Sequence, residues 1–74
     1  MRRVGTVVRT AGGVAVARSP DDSRPDIGDM VVDDALDAVG RVVDVFGPVD
    51  RPYFVVTPDA GSPAALLNER LYVR

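Results

Sequence analysis

A chain of 74 residues with 46% hydrophobic content and a net charge of −2 has the composition of a small globular protein, and disorder is not favoured. Cysteine and histidine are both absent, which excludes disulfide staples and the common zinc sites. At this length only about 60% of the unfolded chain's surface is buried on folding, so oligomerisation or docking on a partner is the obvious reinforcement.

The elements are read as six short strands in a single domain over residues 1–74. Residues 3–9, with Val4, Thr6, Val7 and Val8, form the first strand. Gly12-Gly13 supplies the positive-φ residues of a tight reversal, and Val14-Ala15-Val16-Ala17 returns as the second. Ser19-Pro20-Asp21-Asp22-Ser23-Arg24-Pro25-Asp26 is a polar loop. Met30-Val31-Val32 is the third strand, and residues 33–38 are a charged connector expected to form one helical turn or a bulge. Residues 39–46 are the fourth and longest strand and residues 53–57 the fifth. Residues 64–68 are read as a helical turn, and Leu71-Tyr72-Val73 as the closing strand. Near-regular spacing and Gly/Pro/Asp turns predict an all-β, small closed or partly open barrel, which removes strand edges that would otherwise aggregate. No internal repeat is evident.

Both faces of the fourth and fifth strands are apolar. Val39, Val43 and Val45 are assigned to one face and Val42 and Phe46 to the other; Tyr53 and Val55 oppose Phe54 and Val56. One face fills the barrel, and the other is covered either by a partner or by connectors of the same chain such as Ala64-Ala65-Leu66-Leu67.

Catalytic chemistry finds little support. Histidine, lysine and cysteine are missing, so the usual general bases and nucleophile partners are absent. Asp33 and Asp34 are neighbours in an extended segment and point apart. Asp21, Asp22 and Asp26 do not have the spacing of an EF-hand loop, and Gly12-Gly13 precedes no helix or lysine that would cradle phosphate. No metal or cofactor is expected. Arg2, Arg3, Arg70 and Arg74 gather into a basic patch if the first and last strands lie side by side; otherwise they are solubilising terminal charges. The turn Gly47-Pro48-Val49-Asp50-Arg51-Pro52 is the most distinctive feature. A glycine that permits unusual backbone angles and two prolines that fix φ stiffen it, and Phe46 and Tyr53 flank it as aromatic anchors.

Several motifs resemble the Gar-type subunit of box H/ACA small ribonucleoproteins: the leading Val4-Gly5-Thr6-Val7, the Gly28-Asp29 before the third strand, Val39-Gly40-Arg41-Val42 running into Phe46-Gly47-Pro48-Val49, then Pro52-Tyr53-Phe54 and the closing Leu71-Tyr72-Val73. The resemblance spans most of the chain. It implies a six-stranded barrel of the reductase, isomerase and elongation-factor type. It also implies a non-catalytic subunit that docks on a dyskerin-type pseudouridine synthase, touches RNA mostly indirectly, and promotes substrate loading and product release through a mobile loop of the synthase. Carried over by position, the partner-binding residues are Phe46, Gly47, Pro48, Val49, Pro52, Tyr53, Leu71 and Tyr72. The glycine usual before the terminal Leu-Tyr-Val is replaced within Asn68-Glu69-Arg70, where Asn68 can adopt the left-handed conformation. The Gly/Arg-rich tails of eukaryotic relatives are missing, as in an archaeal form. All nine basic residues are arginine and ten of eleven acidic residues are aspartate. With a pI of 4.8, this resembles the protein style of halophilic archaea, although a genome rich in G and C favours the same residues. The chain also resembles a PRC-barrel adaptor or ribosome-maturation module, through Met30-Val31-Val32-Asp33-Asp34 and Val39-Gly40-Arg41-Val42-Val43-Asp44-Val45; that module usually lacks the proline-flanked corner. Met1-Arg2-Arg3-Val4-Gly5-Thr6 leads into no apolar segment of a signal peptide, and a cytoplasmic location is expected.

Overall fold

A computed structural model describes residues 1–59 and 61–74. It contains strands β1 (Arg2–Ala11), β2 (Val14–Arg18), β3 (Met30–Val32), β4 (Ala38–Phe46), β5 (Tyr53–Pro58) and β6 (Arg70–Val73), with a 3-10 turn at Pro63–Leu66. All neighbours pair antiparallel and close the ring β1-β2-β5-β4-β3-β6. The barrel is closed, with β3 and β6 joined by the pair Val32 and Tyr72. Among the described residues no helix is long and apolar enough to cross a membrane.

The interior is made of small β-branched side chains around one aromatic. Val4, Val7, Ala15, Ala17, Val31, Val42, Phe54, Val56 and Leu71 form the core, and Val39, Val45, Leu66 and Val73 pack against it. The 3-10 turn lies against β1 and β2, with its following residues tied to β1 by Asn68 N–H to Val7 O and Val7 N–H to Glu69 O, both 3.0 Å. Asn68 takes φ 69°, the left-handed angle expected of it. These apolar residues therefore do not cover the outer faces of β4 and β5.

Strict alternation fails in the two long strands. β1 holds an extra residue against β6 at Val4 and against β2 at Val8; β4 holds one against β3 at Val39 and against β5 at Val43. Each bulge resets which side faces inward. Val43 is accordingly exposed, while Val45 packs on the core; the expectation that they share a face is corrected by the bulge at Val43. The connector 33–37 is not a helical turn. Asp33 Oδ1 accepts from the N–H groups of Ala35 (2.9 Å) and Asp37 (3.1 Å), and Leu36 sits at φ 68°, an aspartate-capped loop.

The bulges expose an internal repeat that the bare sequence did not suggest. Val4-Gly5-Thr6-Val7-Val8-Arg9-Thr10-Ala11-Gly12 aligns with Val39-Gly40-Arg41-Val42-Val43-Asp44-Val45-Phe46-Gly47, with both bulges and both glycines in step. The halves β6-β1-β2 and β3-β4-β5 are thus built alike. A Cβ on Gly5 would stand 2.6 Å from Phe54 Cε1 and 2.7 Å from Arg18 O; one on Gly40 would stand 2.5 Å from Thr57 O and from Val56 Cγ1. Both glycines let a long strand cross close to its neighbour. Gly40→Ala is expected to destabilise the barrel by roughly 1–3 kcal/mol, the cost of overpacking, read as a lower urea midpoint; Gly13→Ala meets no atom near its Cβ and would be costly only through its backbone, held at φ 86°.

Candidate functional site

The equivalent hairpins of the two halves end differently. β1 turns into β2 through Gly12 and Gly13, both at positive φ, the shortest connection a hairpin uses. β4 turns into β5 through the six residues Gly47-Pro48-Val49-Asp50-Arg51-Pro52. A framework of this design closes with two residues, so the longer turn is an elaboration beyond what folding requires.

That turn is held firmly. Gly47 has φ 90° and its α-carbon approaches the Tyr53 ring, where a Cβ would come within 3.1 Å of Cδ1. Arg51 N–H donates to Pro48 O at 3.2 Å. Pro52 is buried, and its carbonyl accepts from Ser19 N–H at 2.9 Å. Arg51 Nε donates to Ser19 O at 3.3 Å. The corner is therefore clamped to the end of β2. Phe46 and Tyr53 pair across the strands and stack, with centroids 5.3 Å apart and planes 12° off parallel, an arrangement worth about 0.5–1.5 kcal/mol beyond burial. The Arg18 guanidinium lies 4.8 Å from the Tyr53 centroid, a cation–π contact.

Apolar surface remains uncovered here. Val49 is 91% exposed and Phe46 41% exposed, and a cleft of about 270 Å³ runs between Arg24, Val45, Phe46, Pro48, Val49 and Pro52. Of the residues carried over from the resemblance, Phe46, Gly47, Pro48 and Val49 lie at this surface, Tyr53 is half-buried and Pro52 supports them from below. Leu71 is corrected: it is fully buried in the core, because its pairing with Gly5 points it inward. Tyr72 is half-buried on a different wall, pairing with Arg3 of β1 and Val32 of β3.

At Tyr72 the chain builds a polar cluster. Arg70 Nη2 donates to Asp34 Oδ2 at 2.8 Å. The Tyr72 hydroxyl first, then Arg70, holds the Asp34 carboxyl below the ordinary carboxylate range, and Asp34 in turn pushes the Tyr72 hydroxyl up. Asp33, by contrast, is turned into its own loop, so the adjacent carboxylates do not act together. Asp21 likewise accepts from Ser23 N–H at 2.7 Å. Among the described residues no three acidic side chains come together to hold a metal. NMR titration of Asp34 is expected to show ionisation below the ordinary range, with Arg70→Ala moving it back up. Since the folded pKa is depressed, the stabilisation from Asp34 is complete above the unfolded-chain pKa and is lost as pH falls through the depressed value.

A second concavity, of about 400 Å³, was not foreseen. Asp29, Met30, Val32, Leu36, Ala38, Val73 and Arg74 line it, beside the β3–β6 seam. The left-handed Leu36, whose carbonyl accepts from Arg74 at 3.2 Å, has no signal in a charged connector. A family model described as the Gar1/Naf1 RNA binding region matches residues 1–73. No curated protein matches the chain.

Proposed function

Because the chain belongs to the Gar1/Naf1 family, we propose that it is the Gar-type subunit of an RNA-guided pseudouridylation particle and docks through its proline-flanked corner on a dyskerin-type synthase. Family membership implies association with H/ACA ribonucleoproteins and with RNA, in a non-catalytic role. In the proposed role the subunit does no chemistry; by contacting a mobile loop of the synthase it aids loading of substrate RNA and release of product during rRNA modification.

The observation that carries this reading is the uncovered apolar corner on a turn longer than its counterpart in the other half. Pre-stiffened surfaces lose little conformational freedom on binding, and here a glycine, two prolines and the Ser19 clamp supply the stiffness. Phe46 is the natural anchor, because one ring face is already packed on Tyr53 and aromatics dominate interface hot spots. Arg24 at the cleft edge suits a carboxylate beside the partner's apolar anchor.

Calorimetry with a purified dyskerin-type synthase tests the docking. Phe46→Ala is expected to weaken binding by more than about 1 kcal/mol. Val49→Asp is expected to do the same while leaving the unfolding midpoint nearly unchanged, as an exposed substitution costs within about 0.5 kcal/mol of stability. Normal binding by both folded variants removes the corner as the docking surface. Co-purification with a ribosomal subunit in place of the synthase favours the PRC-barrel reading instead.

A further inference from the structure

Five of the nine arginines stand on two adjacent strands or directly after them: Arg2, Arg3 and Arg9 in β1, Arg70 in β6, and Arg74. Neither strand contains an acidic residue. Of the eleven acidic residues, Glu69 directly precedes β6 and Asp34 is paired with Arg70, which leaves nine alongside the remaining four arginines. The molecule is therefore strongly polarised, although its net charge is only −2. The internal repeat shows that this is no requirement of the framework, since the counterpart of Arg9 in β4 is Asp44 and that of Arg3 is Ala38.

The register brings Arg3 and Arg70 together, with Arg9 further along β1 where it pairs with Val16 of β2. Arg3 pairs with Tyr72, and Thr6 with Arg70. Arg3 Nη2 donates to Thr6 Oγ1 at 3.2 Å, and Arg3, Arg9 and Arg70 are all exposed. Hydroxyls and guanidinium groups on a strand pair are the donor set that grips phosphate oxygens, and half-buried Tyr72 adds an aromatic face on which a base can stack. In the ring order β1-β2-β5-β4-β3-β6, the β1–β6 pair lies directly across from the β4–β5 pair that carries the corner.

We propose that the outer wall of β1 and β6 binds the phosphate backbone of single-stranded RNA through Arg3, Arg9 and Arg70, on the side of the barrel opposite the docking corner. The Asp34 carboxylate, seated on Arg70, occupies the position a phosphate would take and holds the wall's affinity down in the free protein. This inference draws on the family's association with RNA and does not require the synthase.

Fluorescence anisotropy of the full chain with a labelled oligouridine strand, at several salt concentrations, is the test. Binding is expected to weaken as salt rises, and Arg3→Ala and Arg9→Ala each to lower affinity several-fold at low salt and flatten the slope of log K against log salt by about 0.7. Asp34→Asn is expected to tighten binding. Arg41→Ala and Arg51→Ala, outside the wall, are expected to leave the slope unchanged, and Phe46→Ala to bind RNA as the wild type does while binding the synthase more weakly. The proposal is overturned if the wild type shows no salt-dependent binding, if the wall variants bind as tightly as it does, or if Arg41→Ala and Arg51→Ala lose as much. Loss of RNA binding with synthase docking intact, or the reverse, separates this inference from the docking reading.

Discussion

Phe54 is the largest side chain sealed inside the barrel, and its ring occupies the space where a Cβ at Gly5 would stand. The other core residues are valines, two alanines and a leucine, so this one ring sets how far β5 stands from β1. Truncating a buried phenylalanine costs about 3–5 kcal/mol, comparable to everything a core of this size supplies. With Phe54 committed inward, alternation along β5 turns Tyr53 and Val55 outward. Tyr53 then sits between Arg18 on β2 and Phe46 on β4, its two cross-strand partners. The stack that supports the corner is thus a consequence of the packing that fills the core, and Phe46 rests on a ring held against the barrel wall.

How much of this was legible in the sequence differs by element. The six strands were readable because glycine, proline and aspartate mark their ends, and β3 falls at the three residues expected. The proline-flanked corner was readable because its composition is itself the mechanism of its rigidity. The faces of β4 were not. A bulge adds a residue without any change in composition, so the side chains of Val42, Val43, Asp44 and Val45 are assigned to alternate faces until the pairing of Val42 with Val56 and Asp44 with Val55 is known. Leu71 was misplaced for a related reason: a three-residue apolar segment has no polar residue to mark its outer face. Its inward direction comes from its pairing with Gly5, next to the bulge at Val4. The repeat between the halves was hidden because only a few positions keep their identity; the bulges reveal that those positions share a geometry.

Two-fold construction from one design also explains how a chain this small can have two differently specialised sides. Each half needs its Val-Gly pair, its two bulges and its inward valines, and these consume most positions facing the core. What remains free is the outward register and the length of the hairpin turn. In one half Arg3 and Arg9 stand outward and the turn is minimal; in the other their counterparts are Ala38 and Asp44, Arg41 stands where the first half has Thr6, and the turn is extended. Specialisation is confined to the places where it does not disturb packing.

Charge polarity then constrains how the subunit can sit in an assembly. At a distance the net negative charge weakly repels RNA, but at about 0.1 M salt that repulsion is screened beyond roughly 10 Å. Inside that range the nearest groups dominate. A polyanion meeting the β1–β6 wall finds arginines, whereas one meeting the opposite half finds a surface whose acidic residues outnumber its arginines. In the proposed arrangement the favoured orientation therefore turns the wall toward RNA and leaves the Phe46 corner facing away from it. A neutral barrel with the same corner would dock equally well but would carry no such preference, so the uneven placement of arginine, more than its total amount, is what gives the subunit a direction.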